Sequence, residues 1–219
     1  MKIKVNDIVM HYEKIGIGEP LILVHGNQED HTIFLSLVEA IKDRYTCYLF
    51  DSRNHGLSSK TEVYDYSVMA DDYLAAIKAL HLDAPYYLGY SDGGIIGLFM
   101  ALMEPKSLKK MIVCGSNIHP LGIAKKEREY MKIETKKTPN PYIDMMLDQP
   151  NLTFRKLHKI EIPTMVIAGE FDVIQRRHTL AIHHHIKDSK YVQINKKHHD
   201  DYMVHRDDLK LLLSDFFRD

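Results

Sequence analysis

The sequence predicts an α/β protein built on a mostly parallel sheet of about eight strands with helices on both faces. Two observations carry this. Short runs rich in Val, Ile, Leu and Tyr recur as LILVHG (21–26), CYLFDS (47–52), YYLGYS (86–91), MIVCGS (111–116), TMVIAGE (164–170) and YVQIN (191–195). They are continuously apolar rather than alternating, as strands covered on both faces are. Between them lie stretches of helical period, clearest in SVMADDYLAAIKALHL (67–82), where Met69, Tyr73, Ile77 and Leu80 fall on one face.

In chain order, KIKV and IVMHYEKI alternate polar and apolar residues around Asn6-Asp7, which predicts an antiparallel hairpin at the sheet edge. The apolar runs then follow until Asn117. From there to about His158 no strand-like run occurs: KKEREYMKIETKK reads as a helix with a solvated charged face, TPNPY as a break, and YIDMMLDQPNLTFRKLHKI as short helices. A helical lid inserted over about 117–158 is expected, after which IPTMVIAG restarts the sheet. Near the end, Leu209, Leu212 and Phe216 recur at helical spacing. The whole chain, 1–219, reads as a single domain.

Composition narrows the function classes. A chain of 219 residues with 45% hydrophobic content can bury a sizeable core. Its 29 Lys and Arg balance 30 Asp and Glu, for a net charge of -1, so the basic footprint of a nucleic-acid binder is missing. The start, MKIKVNDIVMHYEK, lacks the pattern of a secretory signal. Apolar runs such as LFMALM (98–103) fall far short of the roughly 20 residues that cross a bilayer. A cytoplasmic protein without a membrane span is expected. Cys47 and Cys114 lie inside apolar runs and read as core thiols rather than a disulfide framework. Of the 14 histidines, His183, His184 and His185 are consecutive; on a helix they point about 100° apart and cannot converge on one metal ion. No segment marks a subunit interface.

The chemistry concentrates at GYSDGG (89–94). Gly89, Ser91 and Gly93 give G-x-S-x-G between an apolar strand and the apolar helical segment GIIGLFMALM. In that context the serine occupies a strained turn of positive φ, and small neighbours let strand and helix approach closely. Ser91 would then stand at a helix N-terminus, where free N–H groups and the helix dipole favour developing negative charge.

With these flanks the chain resembles the alpha/beta-hydrolase fold family over nearly its whole length. LILVHGN resembles the loop after that family's third strand, which implies the backbone N–H of Asn27 as one oxyanion donor and that of Asp92, directly after Ser91, as the other. FDSRNHGLSS resembles the D-x-R-G-x-G-x-S turn; Asp51, Arg53, Gly56 and Ser58 match and imply bracing roles, while Asn54 and His55 depart from the glycine-rich version. MVIAGEFDVI resembles the G-x-x-D segment after the seventh strand and implies Asp172 as the triad acid, with Glu170 its nearest competitor. The loop holding His198 and His199 resembles the one before the final helix and implies His199 as the base. His25 is implied to be structural.

The resemblance thus implies a serine hydrolase that cleaves small carboxylic esters through an acyl-enzyme on Ser91, with no metal or organic cofactor. The same fold and triad also serve carbon–carbon bond hydrolases, acyltransferases and slow-turnover ligand-sensing proteins, which stay open here. Met131, Met145 and Met146, in the expected lid, are candidates for an adaptable pocket lining. Glu29 and Asp30 follow the oxyanion loop and are expected to form an acidic rim favouring cationic substrates.

Overall fold

A computed structural model describes residues 1–218. Strands β1 (Lys2–Val5) and β2 (Ile8–Ile15) form the expected antiparallel hairpin, with Asn6 at φ 46° in the turn. β2 pairs antiparallel with β4 (Tyr45–Phe50), which pairs parallel with β3 (Glu19–Val24). The parallel sheet continues through β5 (Tyr86–Tyr90), β6 (Met111–Cys114), β7 (Thr164–Gly169) and β8 (Ser189–Ile194). Among the described residues the sheet has eight strands in the order β1-β2-β4-β3-β5-β6-β7-β8.

The unbroken apolar runs follow from burial on both faces. Successive residues of a strand point to opposite sides, and here both sides are covered. Ile22 and Val24 of β3, Tyr48 and Phe50 of β4 and Val113 of β6 enter one core; Leu21, Leu23, Cys47, Leu49, Ile112 and Cys114 enter the other. α1 (Leu35–Ile41) closes the second core together with α8 (Lys210–Arg218), whose Leu213, Phe216 and Phe217 are buried. α2 (Tyr66–Ala79) and α3 (Asp92–Met103) cover the first core. Each fully buried Leu, Ile or Phe contributes about 1.5–3 kcal/mol, so the two layers supply most of the stabilisation.

Between β6 and β7 lie α4 (Lys125–Lys137), α5 (Pro141–Asp148) and α6 (Phe154–Leu157), with no strand among them. α7 (Arg176–His185) follows β7 and carries the three consecutive histidines in its last turn. Two boundaries differ from the periodicity. α2 stops at Ala79, with Leu80 as a half-buried C-cap, and α1 lies in a segment where apolar spacing marked no helix. α1 spans only seven residues, too few for a periodic pattern to repeat. Cys47 and Cys114 are buried free thiols. No helix among the described residues is long and apolar enough to cross a membrane.

The turn after β4 braces the sheet edge. Arg53, 1% exposed, makes a bidentate pair with Asp72 of α2, Nε to Oδ2 at 2.8 Å and a second nitrogen to Oδ1 at 3.0 Å. It also donates to Asp7 in the hairpin turn at 2.7 Å. Removing one partner of such a pair strands a buried charge. Asp72→Ala is therefore expected to destabilise the fold by about 3 kcal/mol, the lower end of the usual range because Asp7 remains. Urea unfolding of the variant against wild type measures this, and a loss below about 1 kcal/mol would contradict it.

Candidate active site

The strand ends explain the local sequence around Ser91. Ser91 lies between β5 and α3 with φ 53° and ψ -114°. Its N–H donates to the Cys114 carbonyl at 2.7 Å, and its own carbonyl accepts from the Ser116 hydroxyl at 3.0 Å. These bonds tie the strained turn to the end of β6. Gly89 and Gly93 are glycine because there is no room for a Cβ. One on Gly89 would lie 2.3 Å from the Gly93 carbonyl oxygen, and one on Gly93 would lie 2.0 Å from that of Val24.

Asp172 and His199 arrive from the ends of the next strands. Asp172 follows β7, and its Oδ1 accepts from the Ile174 N–H at 2.9 Å and its Oδ2 from the Gly169 N–H at 3.2 Å. His199 follows β8 with Nδ1 2.8 Å from Asp172 Oδ1 and Nε2 3.1 Å from Ser91 Oγ. A carboxylate can only accept, so Nδ1 carries the proton and Nε2 offers its lone pair to the serine hydroxyl. Burial alone would lower the His199 pKa; the Asp172 hydrogen bond and charge, with Glu29 and Asp200, outweigh it and raise the pKa above the usual 6.5. A hydroxyl held this way can lose its proton to the imidazole as it attacks a carbonyl.

The neighbouring candidates are placed elsewhere. His198 is exposed, its N–H donates to Asp201 at 2.8 Å, and its ring lies against Phe171. Glu170 is exposed and accepts from the Lys196 N–H at 2.7 Å. Gly115, which the sequence did not single out, makes room for the His199 ring: at φ 59°, a Cβ there would lie 2.6 Å from His199 Cε1. Its signal was the glycine following MIVC at a strand end.

Asn27 and Asp92 are cross-tied, Asn27 Nδ2 donating to Asp92 Oδ2 at 2.8 Å. Asp92 Oδ1 accepts from the Tyr66 hydroxyl at 2.8 Å. Burial pushes the Asp92 carboxyl up to about 6, against the lowering effect of the Asn27 and Tyr66 hydrogen bonds. As the first residue of α3, Asp92 has an N–H that no intrahelical carbonyl can reach. His25, 1% exposed, donates from Nδ1 to the Gly26 carbonyl at 2.7 Å and accepts the Ser52 N–H at Nε2, and burial lowers its pKa to about 3. It stays neutral and braces the loop.

A cavity of about 460 Å³ opens over Ser91, lined by Asn27, Gln28, Glu29, Tyr90, Met131, Ile143, Met146, Val173, His199 and Asp200. A smaller one of about 140 Å³ continues past Ser91 to Asn117, Ile123, Glu127 and Ile174. Met131 and Met146 line both, but Met145 lines neither. It is 2% exposed and packs into the core, because consecutive helical residues diverge by about 100°. Tyr142 of α5 anchors the helices above the cavity: its ring packs edge-on against His55 and Tyr64, its hydroxyl donates to the Asn54 carbonyl, and its own carbonyl accepts from Asn27 Nδ2 at 3.4 Å.

Among the described residues one group, His11, His31 and Asp51, all buried, has donor atoms close enough together to offer metal ligands. Its donor set is already committed. Asp51 accepts from the His31 and Leu57 N–H groups at 2.9 and 2.8 Å and pairs with Nδ1 of His31 and His11 at 2.7 and 3.2 Å. Asp51 thus braces the loops after β3 and β4, as its motif implied.

The sequence profile of the alpha/beta hydrolase fold matches residues 19–131, and the chain belongs to that family. It is 26% identical to the serine hydrolase BPHL of Mus musculus across 99% of this chain and 86% of that protein. It is 31% identical to the AB hydrolase superfamily protein YisY of Bacillus subtilis across 61% of this chain and 54% of that one. Among solved structures, a thermophilic esterase from Thermogutta terrifontis superimposes with a TM-score of 0.83 at 20% identity, covering 100% of this chain and 97% of that one. The enol-lactonase from Burkholderia xenovorans LB400 gives 0.83 at 15% identity and covers 100% of both chains. At these identities the structures establish the shared fold.

Proposed function

We propose that this chain is a serine hydrolase that cleaves small carboxylic esters through an acyl-enzyme on Ser91. The carrying observation is the continuous hydrogen-bonded line from Ser91 Oγ through His199 to Asp172. In this reading His199 Nε2 takes the hydroxyl proton as Ser91 Oγ attacks the ester carbonyl, and then returns it to the departing alcohol. Asp172 holds the imidazole tautomer and offsets the positive charge that forms on it. The Asn27 and Asp92 N–H groups stabilise the tetrahedral oxyanion, at about 3 kcal/mol per donor. Water then attacks the acyl carbonyl as His199 Nε2 takes its proton, the bond to Ser91 Oγ breaks as His199 returns that proton to Oγ, and the acyl group leaves as a carboxylic acid.

The helical segment between β6 and β7 acts as the lid of a single domain, with Met131 and Met146 supplying adaptable apolar walls to the acyl or alcohol group. The names of the relatives support hydrolysis: serine hydrolase for the mouse protein, esterase for the Thermogutta structure.

The test is rapid-mixing hydrolysis of p-nitrophenyl acetate with parallel intact-mass analysis. A turnover reaction with a transient gain of one acetyl group on Ser91 is expected. Turnover with no acetylated species under rate-limiting deacylation, or acetylation at another residue, would remove the mechanism.

A further inference from the structure

Glu29 and Asp30 are neighbours in the loop after β3, yet the structure separates their roles. Asp30 is engaged locally: it caps the 3-10 helix His31–Phe34, where Oδ1 accepts from the Thr32 N–H at 2.8 Å and from the Thr32 hydroxyl at 2.5 Å. Glu29 turns back over Gly26 and accepts its N–H at 2.8 Å. A Cβ built on Gly26 would lie 2.6 Å from Glu29 Oε2 and 3.1 Å from Ser91 Cβ. The carboxylate and the serine side chain therefore border the same small space over Gly26, and both line the cavity there.

Among the described residues this carboxylate forms no ion pair, and His199 is the basic group whose charge acts on it. Among the described residues its hydrogen-bond partner is the Gly26 N–H. The titratable groups that face it are His199 and Asp200 from the loop after β8, Asp92 from α3 and the Tyr90 hydroxyl from β5, so acids outnumber bases. Burying a carboxylate without a cation beside it is costly, and that cost shows in its proton affinity: burial, first among the causes, pushes Glu29 up to about 7. A ligand cation placed against it would recover part of that cost.

We propose that Glu29 is the specificity-determining residue of this site, its carboxylate taking a protonated amine on the ester substrate while the ester carbonyl lies against Ser91. The inference rests on the hydrolase reading for the carbonyl, and on Glu29 for the charge. It narrows the expected acidic rim to one residue and removes Asp30 from it. Its pH dependence has a definite sign. A carboxyl group of raised pKa is neutral below that value, so the preference for a cationic ester grows as pH rises through about 7.

Two isosteric esters test this, 2-(dimethylamino)ethyl acetate, protonated at neutral pH, and 3-methylbutyl acetate, which is neutral. The ratio of their kcat/KM values is expected to favour the amine by about 10- to 100-fold at pH 7.5, the range for a hydrogen bond to a charged group. It should fall several-fold by pH 6, collapse towards unity in Glu29→Gln, whose amide oxygen can still accept the Gly26 N–H, and persist in Asp30→Asn. A ratio unaffected by Glu29→Gln, or lost equally in Asp30→Asn, overturns the inference. Calorimetric binding of both esters to Ser91→Ala, with and without Glu29→Gln, separates it from the hydrolase reading. Tighter binding of the amine ester that needs Glu29 upholds the inference even if wild type turns over neither ester, whereas equal binding overturns it even if wild type hydrolyses both.

Discussion

Ser91→Ala is expected to lower kcat for ester hydrolysis by about a million-fold, the loss seen when a serine nucleophile is removed from an intact triad. The residual rate, about a thousand-fold or more above water, would come from the oxyanion donors and substrate binding alone. The fold should survive. The Ser91 hydroxyl has His199 Nε2 as its partner, and alanine occupies the φ 53° turn at a cost similar to that of serine. A Tm at or above that of wild type is therefore expected together with the lost activity, as when a strained active site is relieved of its functional group. Intact-mass analysis after a fluorophosphonate probe gives the same answer without a substrate, with one adduct on wild type and none on the variant. Retention of more than a hundredth of the activity in Ser91→Ala would remove Ser91 from the chemistry.

Most of this site was legible in the sequence because it depends on backbone geometry that only certain residues tolerate. Gly89 and Gly93 are required by close approaches to the backbone of Gly93 and Val24, so the pentapeptide reports a three-dimensional constraint directly. The two-faced burial of β3 to β7 likewise imposes continuous apolar runs, which made the strands readable. Side-chain direction in loops and short helices has no such period. Met145 and Met146 are indistinguishable in composition, yet one is core and the other lines the cavity. Glu29 and Asp30 are adjacent acids, and only the N-cap geometry of the following 3-10 helix separates the one held locally from the one lining the cavity over Ser91. Tyr142 was similarly invisible, since its anchoring depends on His55 and Asn54, about 88 positions earlier in the chain.

His199→Ala should match Ser91→Ala in severity, because the residues of such a triad act as a unit and either loss forfeits nearly the whole effect. His198→Ala is the control: its ring is exposed against Phe171, and substitution there should change kcat/KM by no more than about twofold. The pH profile adds a readout that a merely structural histidine would not give. The base must be neutral, so kcat/KM rises with pH through the pKa of His199. Burial lowers that pKa, but the Asp172 hydrogen bond and charge, assisted by Glu29 and Asp200, raise it above 6.5 on balance. The rising limb should accordingly lie to the alkaline side of an ordinary histidine. Asp172→Asn removes the main raising influence and the correct tautomer together. It is expected to shift the limb to lower pH while lowering kcat by about ten-thousand-fold. Rates measured from pH 5 to 9 for wild type, Asp172→Asn and His198→Ala decide the matter. A wild-type limb below 6.5, or one that Asp172→Asn leaves in place, would mean that the titrating base is some group other than the His199–Asp172 pair.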